Sequence, residues 1–251
     1  MTAPELLSSA IAFLLGSVLQ SAVGFGAGML SVPLLIWTGV ALPKAVSMML
    51  GVVTLHAGYN CYLARSEIRW GPIIPMTLIR WGSSPIGVWL LINVLQQSQT
   101  TAKRAVGAVL LVSLLLNAKT NSNPRTHLHS GWMWLAGMSS GILGASVGMG
   151  GPPLILYALS HDWTNERTKS YLWTLFMLGS PMIALILWWR LGNPAIHQFL
   201  IGIAHAPVVW LGSTIGLRLS RLNSRETLRR ISIATLAVIA LVSMFAPRLA
   251  G

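Results

Sequence analysis

The 251-residue chain is 54% hydrophobic and only 9% charged, with a mean hydropathy of +0.67. Soluble domains carry roughly 25% charged residues, so a water-surrounded globular fold is excluded and a chain packed against lipid remains. The net charge of +12 raises nucleic acid as a partner, but the positives gather at the ends of apolar runs, as in "RLSRLNSRETLRR" (218–230). No aromatic-interleaved basic patch accompanies them. Lys and Arg collected in the loops of a membrane protein give this pattern, and nucleic acid is set aside.

Apolar runs occupy 5–37, 43–63, 72–95, 105–116, 132–159, 171–189, 195–217 and 231–246. A helix needs about 20 residues to span the hydrocarbon core. The first run has no basic start or cleavage pattern, and its first charge is Glu5, so it is expected to be retained rather than removed as a signal peptide. The run at 105–116 is short, but 101–118 suffices if Lys103 and Arg104 snorkel to the interface. The fold class is therefore all-α: a polytopic membrane protein of about eight segments with no soluble domain. The single cysteine, Cys61, excludes an intramolecular disulfide and a Cys-based metal site. No cofactor or metal is expected.

The chain is written twice. "QSAVGFGAGMLSVPLLIW" (20–37) resembles "GASVGMGGPPLILY" (144–157), with Val23, Gly24, Phe25 and Gly26 on Val147, Gly148, Met149 and Gly150, and Pro33 on Pro153. Lys44 and Arg65 lie 21 residues apart, as do Lys169 and Arg190, at a common offset of 125. "WGSSPIG" (81–87) resembles "WLGSTIG" (210–216), and Lys103 with Arg104 corresponds to Arg229 with Arg230. This predicts a first transmembrane repeat over 1–117, a polar inter-repeat loop over 118–131 and a second repeat over 132–251. Internal repeats are a hallmark of secondary transporters, whose substrate sites lie where the repeats meet.

Residues 5–37 and 132–159 are each long for one straight span and are interrupted by glycines. Irregular backbone at membrane depth is tolerated where it is buried in protein or lines a wet cavity. Each segment is expected to break, with a second half-helix starting near 27–30 and near 151–153. Pro152 and Pro153 suit a first turn, where a missing N–H costs little. A half-helix start presents unpaired N–H groups and about half a positive charge. Two starts facing one cavity would bind an anion. The competing account is close helix packing through small residues, which the spacing of Gly144 and Gly148 also fits.

Intramembrane ionisable groups are functional candidates by default. The five acids, Glu5, Glu67, Asp162, Glu166 and Glu226, all fall at run ends or in loops, which leaves no carboxylate for a buried sodium or proton site. His56, Arg80 and His205 fall inside apolar runs. Arg80 would supply a full charge and forked donors. The two histidines are the proton-coupling candidates, although neither is duplicated and Pro181 stands where His56 would recur. Gln20, Ser21, Ser146 and Asn60 offer neutral donors. The candidate substrate-binding set is Gln20, Ser21, Gly24, Phe25, Gly26, Arg80, Ser146, Gly148, Gly150 and Gly151. "GASVG" (144–148) matches the G-x-S-x-G nucleophile elbow, but that motif needs a strand-to-helix turn and an acid–His pair. An intramembrane serine hydrolase is the rival from another class, and a non-transporting assembly or sensor subunit is a third.

The segments "GSVLQSAVGFGAGMLSVPLL" (16–35), "GMSSGILGASVGMGGPPLILYAL" (137–159), "GSSPIGVWLL" (82–91) and the stretch from Gly212 through Leu219 resemble the TauE/SafE sulfite exporter family of membrane permeases. The resemblance covers essentially the whole chain. It implies a two-repeat transporter of small anions such as sulfite or organosulfonates, placed in the bacterial cytoplasmic (inner) membrane. Its partners would be the anion and the lipid bilayer, with a homo-oligomer left open. The residues by themselves support a small-anion site and say nothing about sulfur. Two topologies stay open. If 5–37 crosses as one broken helix, the repeats are parallel and Lys and Arg, with embedded Arg80 left out, divide 10 to 6 between the two sides. If it forms a re-entrant hairpin, the repeats are inverted and the division is 11 to 5.

Overall fold

The computed structural model describes residues 3–119, 129–222, 234 and 236–243, and these are α-helical with no β-strand among them. Most of the polar stretch 118–131 and much of the last apolar run lie outside the described residues. The helices are α1 (Ala3–Val23), α2 (Ala27–Trp37), α3 (Leu42–Leu63), α4 (Trp70–Asn93), α5 (Gln99–Lys119), α6 (Ser130–Val147), α7 (Gly151–Leu159), α8 (Asn165–Leu191), α9 (Asn193–Ala204) and α10 (Ala206–Leu222). Local signals set several starts. Proline stands in the first turn of α3, α7 and α9, where its lost donor is not needed. The Thr164 side chain accepts from the Arg167 N–H at the start of α8. The stretches Glu5–Val23, Trp70–Gln97 and Asn165–Leu191 are long and apolar enough to cross a membrane. The α9–α10 pair, bent by 51°, makes a fourth. Helix α3 has the length, at 22 residues, but carries Lys44, His56 and Asn60, which lower its hydropathy. The protein is an integral membrane protein.

Both glycine-rich segments break. Gly24, Phe25 and Gly26 separate α1 from α2, and Gly148, Met149 and Gly150 separate α6 from α7. Gly26 holds φ at 107° and Gly148 at 72°, a left-handed backbone that costs glycine nothing and other residues roughly 1–2 kcal/mol. The chain then doubles back. Ser31 Oγ donates to the Ala12 carbonyl at 2.7 Å, and a Cβ on Gly16 would meet Ser31 Oγ and the Ala27 carbonyl. Residues 27 and 31 thus lie beside 16 and 12, so α2 runs antiparallel along α1 as a re-entrant hairpin. At the second break Ser140 Oγ donates to the Gly150 carbonyl at 2.7 Å, and a Cβ on Gly150 would sit 3.2 Å from Gly144 Cα. The two tips touch, since a Cβ on Gly28 would collide with the Gly148 carbonyl.

Each hairpin packs on a helix from the other half of the chain. Helix α1 lies along α10, and α6 lies along α4. Gly216 meets the Val18 carbonyl and Ser21 Cβ; Gly87 meets the Ile142 carbonyl and Ala145 Cβ. Both contact residues in the second case follow from the first by adding 124, the offset that relates Gly26 to Gly150. That offset corrects one expected match. Pro33 lies inside α2, seven residues past its Gly26 cap, whereas Pro153 stands in the first turn of α7. Pro33 and Pro153 share a residue type, not a structural position.

Gly87 and Gly216 are therefore contact surfaces that admit no side chain. Gly87→Val or Gly216→Val should destabilise the detergent-solubilised protein by about 1–3 kcal/mol, the cost of overpacking. Gly82→Ala on the exposed side of α4, where nothing lies within 4 Å, should leave the melting temperature level or raised.

Candidate functional site

A cavity of about 40 Å³ lies where the hairpin tips meet. Helices α1 and α2 contribute Gln20, Gly28 and Met29, with Gly26 from the first break; α6 and α7 contribute Gly144 and Gly151, with Gly148, Met149 and Gly150 from the second. Helix α3 adds Met49, Leu50 and Val53, α4 adds Arg80, and α8 adds Phe176, Ser180 and Ile183. Six of the ten expected substrate-binding residues, Gln20, Gly26, Arg80, Gly148, Gly150 and Gly151, thus line one small volume. Gly151 is flanked by Phe25 and Phe176, each with ring atoms 3.7–3.8 Å from where its Cβ would stand.

Arg80 is 3% exposed, so its guanidinium is embedded rather than snorkelled to the interface. Its Nε donates to Ser140 Oγ at 3.0 Å and its Nη1 to the Leu175 carbonyl. Glycine at position 179 makes the room, since a Cβ there would lie 2.7 Å from Nη1 and 2.9 Å from Nη2. Both hydrogen-bond partners are neutral. Ser140 accepts from Arg80 and donates to the Gly150 carbonyl, so it ties the charge to the second break. Gln20 is 2% exposed, and its Nε2 is buried with no hydrogen-bond partner. An unsatisfied buried donor costs on the order of 1–3 kcal/mol, which an anion oxygen in the cavity would recover.

The two half-helix starts are unequal. Neither has a side-chain cap. The first turn of α2 offers the N–H groups of Ala27, Gly28 and Met29, and the Leu30 N–H already bonds to the Gly26 carbonyl at 3.1 Å. In α7, Pro152 and Pro153 carry no N–H, so Gly151 is the donor of its opening turn. The two starts therefore differ in the donors they present, because the prolines that open α7 carry no N–H.

The remaining candidates lie elsewhere. Gly24 faces Lys169 and Leu172. Ser21 belongs to a polar cluster between α1, α3 and α10. Its Oγ lies 2.6 Å from His56 Nε2 and donates to Ser213 Oγ at 2.9 Å. Asn60 Nδ2 donates to the His56 carbonyl at 2.8 Å and to Ser213 Oγ at 3.2 Å. A second cavity of about 130 Å³, lined by His56, Tyr59, Trp210 and Ser213 among others, adjoins this cluster. His205 stands apart, 3.0 Å from Ser9 Oγ and edge-on to Phe13. Ser146 is buried inside α6, not on a strand-to-helix turn, so the elbow geometry of a serine hydrolase is absent. Ser140, Ser180, Phe176 and Met49 carry no site signal in the sequence, because serine, methionine and phenylalanine are common packing residues in helices and only their partners in the fold mark them. Lys169, a marker of the repeat, is 8% exposed with Nζ donating to Ser220 Oγ at 2.8 Å.

A polytopic helical protein with paired re-entrant hairpins meeting at a buried cation has the construction of a membrane transporter. The sulfite exporter TauE/SafE family matches residues 9–243, and the chain belongs to it. It is a transporter, not an enzyme. It is 26% identical over 223 residues to the probable sulfite/organosulfonate exporter TauE of Cupriavidus necator, an overlap of 88% of this chain and 86% of that protein. No solved structure matches the chain.

Arg80→Gln should weaken anion binding by about 2–5 kcal/mol, the range for losing one member of a buried charge pair, while the protein still folds. Ser140→Ala should weaken it less, because it frees Arg80 Nε and the Gly150 carbonyl but keeps the charge. Isothermal titration of the purified protein with small anions checks both, and near-normal affinity in Arg80→Gln would remove Arg80 from the site.

Proposed function

We propose that this chain exports a small anion, sulfite or an organosulfonate, across the cytoplasmic membrane of a bacterium, by alternating access around the cavity between the two hairpin tips. The observation that carries the proposal is Arg80, a buried guanidinium with neutral partners, on the wall of the same cavity as Gln20, whose Nε2 is buried without a partner. A buried charge without a countercharge is expensive, and a bound anion is what would balance it. Backbone N–H groups at the start of α2 and at Gly151 add a neutral cradle. In this proposal the halves are inverted, each a hairpin plus three crossings, and they rock about the cavity. A coupled proton, if one is carried, would travel on the protonated substrate or on His56 and His205. They sit in separate hydrogen-bonded clusters and not on the cavity wall.

The test is solute flux into proteoliposomes across a panel of small anions. Sulfite or organosulfonate flux that is lost in Arg80→Gln and retained in Ser146→Ala supports the proposal. A panel with no flux overturns it. His56→Gln combined with His205→Gln should reduce, but not abolish, flux driven by a sulfite gradient. Accumulation driven by a sodium gradient alone, insensitive to pH, would show the coupling to be wrong, since the described acids stand at helix ends and connections and none lines the cavity.

A further inference from the structure

Among the described residues that line the cavity, Arg80 is the only ionisable one and the only formal charge. The side-chain polar groups beside it, Gln20 and Ser180, are neutral, and Met29, Met49, Met149 and Phe176 give an apolar, polarisable surface. Helices α1, α2, α3, α6, α7 and α8 present no other titratable group to the lining. Tyr171 on α8 is a titratable neighbour of Arg80, and a phenol is uncharged at neutral pH. His56 and Lys169 are engaged away from the lining, with Ser21 and Ser220. The described acids stand at helix ends and connections: Glu5 and Glu166 in the first turns of α1 and α8, and Glu67 and Asp162 between helices.

We infer that the site accepts monoanions and rejects dianions: an alkanesulfonate, or sulfite in its singly protonated bisulfite form, but not sulfate or unprotonated sulfite. The inference rests on the anion-exporter proposal and specifies the charge state of its substrate. One negative charge against Arg80 leaves the cavity neutral. A dianion leaves one charge uncompensated in a medium of low dielectric, which is the costly case. Neutral donors solvate oxygens without cancelling that charge. The helix starts supply at most about half a charge each, and in α7 the prolines have removed most of the donors. For sulfite, the proton then travels on the substrate: bisulfite binds, crosses, and releases its proton to water on the far side. No acid of the protein is needed for that transfer.

The experiment uses the full chain in proteoliposomes with equal pH on both sides, and measures exchange of labelled methanesulfonate against competing anions. Methanesulfonate is a monoanion throughout the range of about pH 6 to 8 used for buried-histidine titrations, so its self-exchange should be flat there. Competition by sulfite should fall toward about tenfold per pH unit on the alkaline side, following the bisulfite fraction. Sulfate should compete about 100-fold more weakly than methanesulfonate. The alkaline fall should persist in His56→Gln, because the titrating group is the anion. Sulfate competing within tenfold of methanesulfonate, sulfite competition unchanged across the range, or an alkaline fall that vanishes in His56→Gln each overturns the inference. The same pH series with labelled sulfite decides the case of a chain that moves no organosulfonate. If none of the three anions exchanges or competes, the exporter proposal itself falls.

Discussion

A guanidinium held inside a membrane protein, with no countercharge among the described residues, is the interaction around which the rest is arranged. Desolvating a cation costs several kcal/mol even after relaxation, so Arg80 must be held by its surroundings. Ser140 and the Leu175 carbonyl accept from it, and the missing side chain at Gly179 opens the space it fills. These three partners lie on α6 and α8, in the half of the chain that does not contain Arg80. The bond from Ser140 on to the Gly150 carbonyl then fixes the second hairpin tip relative to the charge. Remove the arginine, and Ser140, Gly150 and Gly179 have no common purpose.

The backbone at the two tips follows from a second constraint. Non-helical peptide groups at membrane depth must be shielded from lipid. Here each tip is shielded by the other, with Gly28 against the Gly148 carbonyl and Gly151 between two phenylalanines. Side chains at these positions would force the tips apart and open the irregular backbone. The duplicated glycines therefore serve close packing and the cavity together. Close packing through these glycines and their place on the cavity wall are compatible in this structure.

What the sequence made legible was what is rare in it. Arg80, His56 and His205 stand out because ionisable groups in apolar runs are costly, and all three are 5% exposed or less. The breaks were legible because glycine and proline change the backbone itself, and they fall where the pattern put them. The direction of the chain after each break was not legible: hydropathy records burial, and a hairpin and a broken crossing have the same composition. Contacts such as Ser31 with Ala12 decide it. Ser21 and Gln20 illustrate the remaining difficulty. They are neighbours on α1, and 100° of helical rotation sends one to the cavity and the other to His56. Ser140 gave no signal, because a serine in a small-residue helix is ordinary until its partner is known.

The exchange of helices between halves bears on how such a molecule could move. Hairpin α1–α2 is clamped to α10, and hairpin α6–α7 to α4, by contacts too tight to slide past: glycine against carbonyl at Gly216 with Val18 and at Gly87 with Ile142. Close backbone contacts of this kind resist shear and favour motion as packed units. Arg80 is on α4 and is tied to the second hairpin through Ser140. Gln20 is on α1, which lies along α10. The two donors facing the cavity thus belong to different packed units. Between the units, Gly28 against the Gly148 carbonyl is a glycine-on-carbonyl contact of the same kind, so the tips that close the cavity are packed as tightly against each other as each hairpin is against its partner helix.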